Sequence, residues 1–359
     1  MARKEDRQQK KRKRGGESLQ RAQKSRAPMT SVRSSNVQPR GALRKSSAVQ
    51  EKRVHAATKP TRTAQLEMEK ETGFRASDWT MPVVASVETE EQLGAVLQQA
   101  AVQCIYVDEA GFPNLAEAIQ QIHAAGRQAG LRLRRIQRDL DASGRRAENS
   151  VDILRKLLCE DTIPDAVLVR NLDEAMLLED FFTEEPAWRA RICRVFDYTV
   201  YGYNEEAMRA LESLGAMKLT YPIELTGPEC RRLPKLLPME LLIYGHLPMM
   251  VSANCIQRTS AHCDHGNRIL QLRDRMGKDM PVRCYCSYCY NQIFNADPLV
   301  LYDLPEEVKA LQPQCVRYDF SVETPAVVRQ VLEGCVPVHR TRGHFRHGIE
   351  EGATMIPLF

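Results

Sequence analysis

Short apolar segments alternate with amphipathic segments between residues 83 and 250. The apolar segments are rich in β-branched side chains, which predicts buried strands. These predicted strands are residues 83–87, 104–107, 131–136, 166–169, 192–196, 217–219 and 240–244. Between them, apolar residues at helical spacing predict helices, and Thr89 and Asn114 are suitable N-caps for two of these helices.

Strands that alternate with helices at this interval are typical of βα units on a parallel sheet. Seven or eight units fit between residues 83 and 250, which predicts an α/β fold of the TIM-like (β/α)8 barrel type, complete or incomplete. A doubly wound open sheet is the alternative. No G-x-G-x-x-G or Walker-type loop follows the first predicted strand, and this argues against a nucleotide site.

The cysteine-rich segment, residues 249–295, follows the last of these predicted strands, where a barrel would carry its active site. Cysteines of this segment lie in two groups, and together they are Cys255, Cys263, Cys284, Cys286 and Cys289. Cys286 and Cys289 form a C-x-x-C pair, a spacing that lets two thiolates of one turn bind one metal centre. Cys255 and Cys263 lie on a separate polar loop, and sulfur ligands from two loops suit zinc or an iron–sulfur cluster equally.

Two other interpretations of these cysteines are open. Structural disulfides are one, but no secretory leader begins the chain, so we expect reduced thiols in a cytoplasmic protein. Buried structural cysteine is the other, and it suits the apolar surroundings of Cys104, Cys159 and Cys193. It suits residues 284–289 poorly, because their neighbours are Arg, Tyr, Ser and Asn.

Charge is distributed unevenly along the chain. Residues 1–62 contain 19 Lys and Arg against 4 Asp and Glu, whereas the whole chain has a net charge of only +5. This segment has few bulky apolar side chains, so we expect a disordered basic tail, followed by a linker at 63–82. Such a tail binds RNA through its phosphates, or it is solvated with no partner. No apolar run approaches the ~20 residues of a membrane span, so no membrane partner is expected.

Several sequence motifs occur in a fixed order along the second half of the chain. They are E-L-L-I-Y-G-H-L-P-M-M-V-S-A-N-C at 240–255, D-R-M-G at 274–277, P-V-R-C-Y-C-S-Y-C-Y-N-Q-I-F-N at 281–295, R-Y-D-F-S-V-E-T at 317–324 and T-R-G-H-F-R-H-G at 341–348. In this order they resemble the collagenase-like peptidase family U32. The resemblance covers roughly residues 83–350, which we take as one domain, and is to the carboxy-terminal half of the long, two-part members. A separate chain that supplies the missing amino-terminal half is therefore an expected partner.

The resemblance implies two kinds of activity. The family name implies proteolysis, whereas several similar proteins hydroxylate bases of RNA, or a quinone precursor, without oxygen. Those proteins hold a 4Fe–4S cluster on four cysteines, and the RNA-modifying ones take the oxygen from prephenate. The common family signature has a cysteine where this chain has Pro248, which places the peptidase-type signature in doubt.

Site residues follow from the same resemblance. The expected cluster ligands are Cys255, Cys263, Cys286 and Cys289, with Cys284 as an alternative to Cys286 and zinc as the alternative metal. Hydroxylation of RNA bases is the first functional hypothesis, a U32-type peptidase the second, and a cluster- or zinc-stabilised RNA-binding or partner subunit the third.

Catalytic residues are less well defined by the sequence, and the candidates are His246, Arg273, Arg275 and His344. The two arginines suit a dicarboxylate or phosphate, with an ion pair to Asp274 as the ordinary alternative. A peptidase would need a nucleophile and a base. For that role, the sequence offers Cys255 with His246, His262 or His265. The tyrosines at 285, 288 and 290 either stack a base or shield the metal.

Overall fold

Strands and helices alternate through the residues that the computed structural model describes, 66–69, 73–260 and 263–345. All of these residues belong to one compact unit, His55–Phe359, and the expected tail at 1–62 lies outside them. The strands are β1 (Met68–Glu69), β2 (Val83–Val87), β3 (Val102–Asp108), β4 (Gln128–Arg132), β5 (Ala166–Val169), β6 (Cys193–Phe196), β7 (Lys218–Thr220), β8 (Met239–Gly245), β9 (Pro248–Ser252), β10 (Arg268–Arg273), β11 (Asp279–Tyr285), β12 (Tyr290–Phe294), β13 (Leu299–Val300), β14 (Cys315–Asp319) and β15 (Val336–Pro337).

The helices lie mainly between the strands of the large sheet. They are α1 (Glu90–Leu97), α2 (Leu115–Ala124), α3 (Ser150–Cys159), α4 (Leu172–Glu184), α5 (Pro186–Arg189), α6 (Glu205–Ser213), α7 (Gly227–Arg232), α8 (Ile256–Ser260), α9 (Pro305–Ala310) and α10 (Pro325–Leu332). The predicted caps are present, since Thr89 and Asn114 each accept a hydrogen bond from a backbone N–H of the first helical turn. No helix among the described residues is long and apolar enough to cross a membrane.

Eight parallel strands close into a barrel, in the order β8, β14, β2, β3, β4, β5, β6 and β7, and β7 pairs again with β8. The prediction of a TIM-like barrel is confirmed, and the open-sheet alternative is wrong because the ring closes. Seven of these strands precede residue 250, as the sequence predicts. The eighth, β14, follows the cysteine-rich segment, which is therefore an insertion between the seventh and eighth barrel strands.

Side chains alternate between the inside and the outside of the barrel. On β3, Ile105 and Val107 belong to the main apolar core that the helices cover, while Cys104 and Tyr106 belong to a separate, smaller cluster. Successive residues of a strand point to opposite faces, so this smaller cluster fills the barrel interior. Gly130 on β4 is required beside it, because a Cβ atom there would lie 2.0 Å from the Tyr106 ring.

The cysteine-rich segment forms its own antiparallel sheet, in the order β10, β11, β12 and β9. A tight turn joins β11 to β12 and places Cys284 opposite Asn291 and Tyr285 opposite Tyr290. The sheet begins and ends beside β8, where the Asn295 N–H donates to the Leu247 carbonyl at 2.8 Å. The insertion thus starts from the carboxyl end of a barrel strand, the end at which barrel enzymes carry their active sites.

Candidate cysteine centre and barrel mouth

Two loops of the insertion bring four cysteines into one pocket. Cys255 precedes α8 and Cys263 lies between α8 and β10, whereas Cys286 and Cys289 lie on the turn between β11 and β12. All four line the pocket, together with His265, Tyr290 and Asn291. The Sγ atoms of Cys255 and Cys263 are 3.7 Å apart. The structure therefore brings together the same four cysteines that are expected as ligands from the sequence.

The turn that carries Cys286 and Cys289 has a constrained backbone. Cys289 adopts a left-handed conformation with φ of 51°, which is uncommon for a side chain other than glycine. The Cys286 N–H donates to Asn267 Oδ1 at 2.8 Å, and the Cys286 Sγ lies 3.2 Å from the Gly266 carbonyl. These contacts connect Cys286 to the segment that follows Cys263.

A second loop, between β4 and α3, holds this turn from the other side. The Arg138 guanidinium donates to the carbonyls of Tyr288 and Cys289 at 3.1 and 2.9 Å. The Ala142 N–H donates to the Ser287 carbonyl at 3.0 Å. A cationic donor on the carbonyls of residues 288 and 289 stabilises the left-handed turn, so Arg138 acts on the cysteines by positioning them.

Replacing Arg138 with alanine is expected to loosen the cysteine turn. Hydrogen bonds that involve a charged group contribute about 1.5–3 kcal/mol each, so the turn should open more often and Cys289 should react faster with an alkylating reagent. Arg145→Ala is the matched control, because Arg145 is exposed on the same loop and contacts Asp141 and Ser143 of its own turn. Equal alkylation rates in the two variants would contradict the positioning role.

The thiols of Cys284 and Cys286 are hard to ionise without a cation. Burial, and after it the negative potential of the neighbouring thiols, raises the pKa of Cys286 to about 12. Burial likewise raises the pKa of Cys284 to about 11, with Cys255 as the next contributor. Metal ligation requires thiolates, so a cation among these sulfurs would favour several ionised thiols at once.

The chemistry of this donor set fits a soft metal group. A single tetrahedral zinc with bonds of about 2.3 Å needs all of its sulfurs around one point. Among the described residues, no three His, Cys, Asp or Glu side chains converge in that way. A cluster binds each cysteine through a different iron atom, so its sulfur ligands stand further apart than the 3.7 Å that separates Cys255 from Cys263 here. The cavity between the sulfurs is about 10 Å³, so a cluster would require the loops to move outward.

Cys284, the alternative ligand, lies behind the pocket. It is buried on β11, and it is absent from the residues that line the cavity. It is nevertheless close to the other thiols, since Cys255 and Cys263 both contribute to the potential at its sulfur. The geometry favours Cys286 over Cys284 as the ligand from this strand.

Below the insertion, charged side chains fill the mouth of the barrel, and most of them were not predicted from the sequence. We name as the mouth network the buried residues Glu88, Asp108, Arg132, Arg170, Asp197, Glu240, Arg317 and Asp319, of which Glu240 lies near the amino end of β8 and joins the network through Arg317. The sequence does contain a pattern that indicates this network, because most of these residues end or directly follow an apolar barrel strand. Charges at the carboxyl ends of parallel strands meet at one edge of the sheet, which is the active-site end of a barrel.

Two arginines organise the mouth network. Arg317 donates to Asp197 at 2.6 Å and to Glu240 at 2.7 Å. Arg132 donates to Asp319 at 3.0 Å and to Glu88 at 3.1 Å. Charges buried this deeply persist only when paired and hydrogen-bonded.

The ionisation of Asp197 reflects this pairing. Burial alone would raise its pKa, but the guanidinium groups of Arg317 and Arg170 outweigh burial and hold the pKa of Asp197 below its usual value. Arg170 itself is less fully paired, since it is buried and its ion pairs with Asp108 and Asp197 are both 3.7 Å long. Its Nε and Nη2 atoms have no hydrogen-bond partner among the described residues.

Tyrosines of the insertion connect the cysteine pocket with the mouth network. Tyr285 and Tyr290 stack with ring centroids 4.8 Å apart, and the Tyr285 hydroxyl donates to Glu88 at 2.9 Å. Tyr290 also lines the cysteine pocket. Both rings are buried, so they shield the site and are not exposed for a base to stack on. Tyr288 packs against Arg134, whose Cζ atom is 4.1 Å from the ring centroid.

The remaining candidate residues lie elsewhere. His246 is buried at the end of β8, with Nδ1 2.7 Å from the Asn295 carbonyl and Nε2 3.9 Å from Glu323. A carbonyl can only accept, so Nδ1 carries a proton, and His246 joins the base of the insertion to the barrel. This contact gives His246 a structural role in the described geometry.

Arg273, Arg275 and His344 are not among the residues that line the cysteine pocket. Arg273 forms an exposed ion pair with Asp279, through two hydrogen bonds of 2.7 and 2.8 Å. The alternative predicted from the sequence was an ion pair with Asp274. Arg275 lies in the exposed turn between β10 and β11. His344 contributes to the potential at Glu229 near the start of α7. His262 falls outside the described residues, while His265 lines the pocket.

Comparisons with known proteins assign no family. No family model matches the chain, and no curated protein matches it. Among solved structures it is similar to the U32 peptidase Mk0906, with 12% identity, a TM-score of 0.39, and coverage of 74% of this chain and 100% of that one. It is also similar to the spore cortex-lytic enzyme SleL of Bacillus megaterium QM B1551, with 11% identity, a TM-score of 0.35, and coverage of 70% and 73%. At these values neither likeness assigns an activity to this chain.

Proposed function

We propose that this chain is an iron–sulfur enzyme that hydroxylates RNA bases without oxygen, with a 4Fe–4S cluster on Cys255, Cys263, Cys286 and Cys289. The observation that carries the proposal is the single pocket in which these four thiols meet, directly above a closed barrel mouth. The sequence motifs of 240–348 support the same interpretation through their resemblance to U32-type hydroxylases. A bound cluster would supply electron transfer, or an iron atom that polarises an oxygen.

The residues of the mouth have separate roles in this proposal. Tyr285 and Tyr290 exclude water between the cysteine pocket and the barrel, because both rings are buried and stacked. Arg170 has hydrogen-bond donors that are still available, and a guanidinium binds carboxylates in a bidentate manner. These donors support a small carboxylate, of the prephenate type, as the source of the hydroxyl group. Arg132 and Arg317 hold the surrounding carboxylates in place.

RNA is the proposed substrate because of charge. Residues 1–62 carry an excess of 15 positive charges, and neutralising phosphates releases counterions. Deleting residues 1–62 is expected to weaken RNA binding and to reduce the steepness of its salt dependence, measured by fluorescence anisotropy between low and moderate salt. Cluster content should be unchanged in the same variant. If the deletion leaves the salt dependence unaltered, residues 1–62 do not contribute to RNA binding.

A comparison of RNA from two cultures tests the proposed reaction. A host grown without oxygen would express either the wild-type chain or a Cys286→Ser variant, and the nucleosides of its RNA would be analysed by mass spectrometry. The proposal predicts a nucleoside with one added oxygen only in the wild-type culture. If the nucleoside profile is unchanged although the cluster is fully loaded, the hydroxylase hypothesis is wrong. The hypothesis of a cluster-stabilised RNA-binding or partner subunit would then remain. Co-purification of a second chain would identify a partner subunit.

A peptidase is the second candidate, and one observation favours it. His265 lines the same pocket as Cys255 and Cys263, so an imidazole lies beside thiols. A thiol–imidazole pair cleaves peptides only when the thiol is not held by a metal. Gelatin or collagen cleavage that survives complete removal of iron, and that is lost in His265→Ala, would establish this activity in place of the hydroxylase.

A further inference from the structure

A buried pair of glutamates lies beside the cysteine turn, outside the roles described above. The Ser150 hydroxyl, at the start of α3, is 2.9 Å from Glu109 Oε1 and 2.7 Å from Glu174 Oε1. All three side chains are at most 5% exposed. Glu109 directly follows β3, and Glu174 lies in the first turn of α4, so three different elements meet at this hydroxyl.

Counting hydrogens shows that this group holds an additional proton. A serine hydroxyl has one hydrogen and donates it to one acceptor. If both glutamates were ionised, one carboxylate oxygen would face the lone pairs of Ser150 at hydrogen-bond distance, with a second negative charge close by. Such an arrangement, at less than 3 Å and away from water, is strongly unfavourable. One of the two carboxyl groups must therefore be the donor to Ser150.

The neighbouring charges decide which carboxyl group it is. Glu109 forms an ion pair with Arg134, so its ionised form has a partner. Glu174 has no guanidinium at ion-pair distance, and its Oε2 atom has no hydrogen-bond partner among the described residues. The groups that face Glu174 are Glu109 and, as cations further away, Arg134 and Arg170. Burial, and after it the charge of Glu109, raises the pKa of Glu174 well above its usual value.

We propose that Glu174, Ser150 and Glu109 form a proton-holding site, in which Glu174 is a neutral carboxylic acid at neutral pH. Its proton passes to Glu109 through the Ser150 hydroxyl, with one O–H bond formed for each that breaks. Arg134 bonds to Glu109 and stacks on Tyr288 of the cysteine turn, so the chain of contacts ends beside the cysteine pocket. The use of this site in catalysis rests on the proposed function, because replacing C–H by C–OH on a base requires a proton to move. The protonation state itself does not depend on that function.

Infrared spectroscopy of the full chain, purified without oxygen, tests the protonation state. The difference spectrum of wild type minus Glu174→Gln at neutral pH is expected to show a protonated-carboxyl carbonyl band that shifts in heavy water. Asp173→Asn, in the same helical turn but exposed, should give no such band. Glutamine keeps the donor to Ser150, so the Glu174→Gln variant should fold. Absence of the band from the wild-type difference spectrum would overturn the proposal.

Unfolding by denaturant between about pH 6 and about pH 9 gives a second, independent readout. A group whose pKa is raised in the folded state stabilises the protein in acid, and that stabilisation is lost as the pH rises through the folded-state pKa. Wild type should therefore lose stability toward alkaline pH more steeply than Glu174→Gln. Parallel pH profiles for the two proteins would contradict the proposal. Neither measurement uses RNA, so an inactive hydroxylase would leave this result intact.

Discussion

Replacing Arg317 with methionine is expected to destabilise the fold by about 3–5 kcal/mol, because breaking a buried ion pair leaves the partner charges unpaired. Arg317 is fully buried on β14 and donates to both Asp197 and Glu240. Methionine fills much of the same volume but donates no hydrogen bond. Equilibrium unfolding in urea at neutral pH measures the loss.

The loss in Arg317→Met should depend on pH. Arg317 lowers the pKa of Asp197 in the folded state, so this pairing adds stability above the usual pKa of an aspartate and loses it in acid. The difference between wild type and variant should therefore be largest at neutral pH and shrink below about pH 4. Arg273→Met is the matched control, because Arg273 also makes two hydrogen bonds to carboxylate oxygens, both of them on Asp279, but is exposed. A surface pair contributes about 0–1 kcal/mol, and equal losses in the two variants would contradict the structural role of the mouth network.

Replacing Cys286 with serine is expected to remove the cluster and much of the stability of the insertion. The backbone N–H of Cys286 donates to Asn267, and Cys286 begins the C-x-x-C turn. A hydroxyl is a poor ligand for soft iron, so visible absorbance and bound iron should fall to the level of metal-free protein. A ligand that holds the folded state at 100–1,000 times its dissociation constant adds about 3–4 kcal/mol, and that contribution should disappear.

Cys159→Ser is the control for this experiment. Cys159, which the sequence suggests as a buried cysteine, is exposed at the end of α3 and does not line the cysteine pocket. The variant should retain both iron and stability. Full iron content in Cys286→Ser, or loss of iron in Cys159→Ser, would show that the ligand set is wrong.

Much of the barrel was readable from the sequence. Runs such as 166–169 are apolar on both faces, which is typical of a strand covered by helices outside and by other strands inside. The helix caps at Thr89 and Asn114 were also readable, because a capping side chain acts within one turn. The strand predicted at 131–136 lies at Gln128–Arg132 in the structure. Its start was not predicted because Gly130 weakens a strand pattern, although a side chain at this position would collide with Tyr106.

The eighth barrel strand was missed for a physical reason. β14, Cys315–Asp319, has polar side chains at alternate positions, and two of these, Arg317 and Asp319, point into the charged mouth. A pattern of this kind normally indicates a strand with one face in water. Here the alternating face meets other buried charges contributed by distant strands. Only the closed barrel brings those charges together, so no short stretch of sequence shows that the polar face of β14 is buried.

The candidate site could be predicted from the sequence only in part. The cysteines stand out because soft ligands cluster in two short polar loops, and the structure places four of them in one pocket. The mouth network did not stand out, because a charge next to an apolar run normally marks the solvated end of a strand. A search for predicted strands that are directly followed by Asp, Glu or Arg would have found Glu88, Asp108 and Asp197 together.

Iron and acid-labile sulfide, measured per chain in protein purified without oxygen, test the central claim most directly. The claim is that four cysteines of two loops bind one cluster above the barrel mouth. We expect about four iron and about four sulfide per chain, with both lost in Cys286→Ser. One zinc per chain without sulfide, or protein that binds no metal under these conditions, would contradict it.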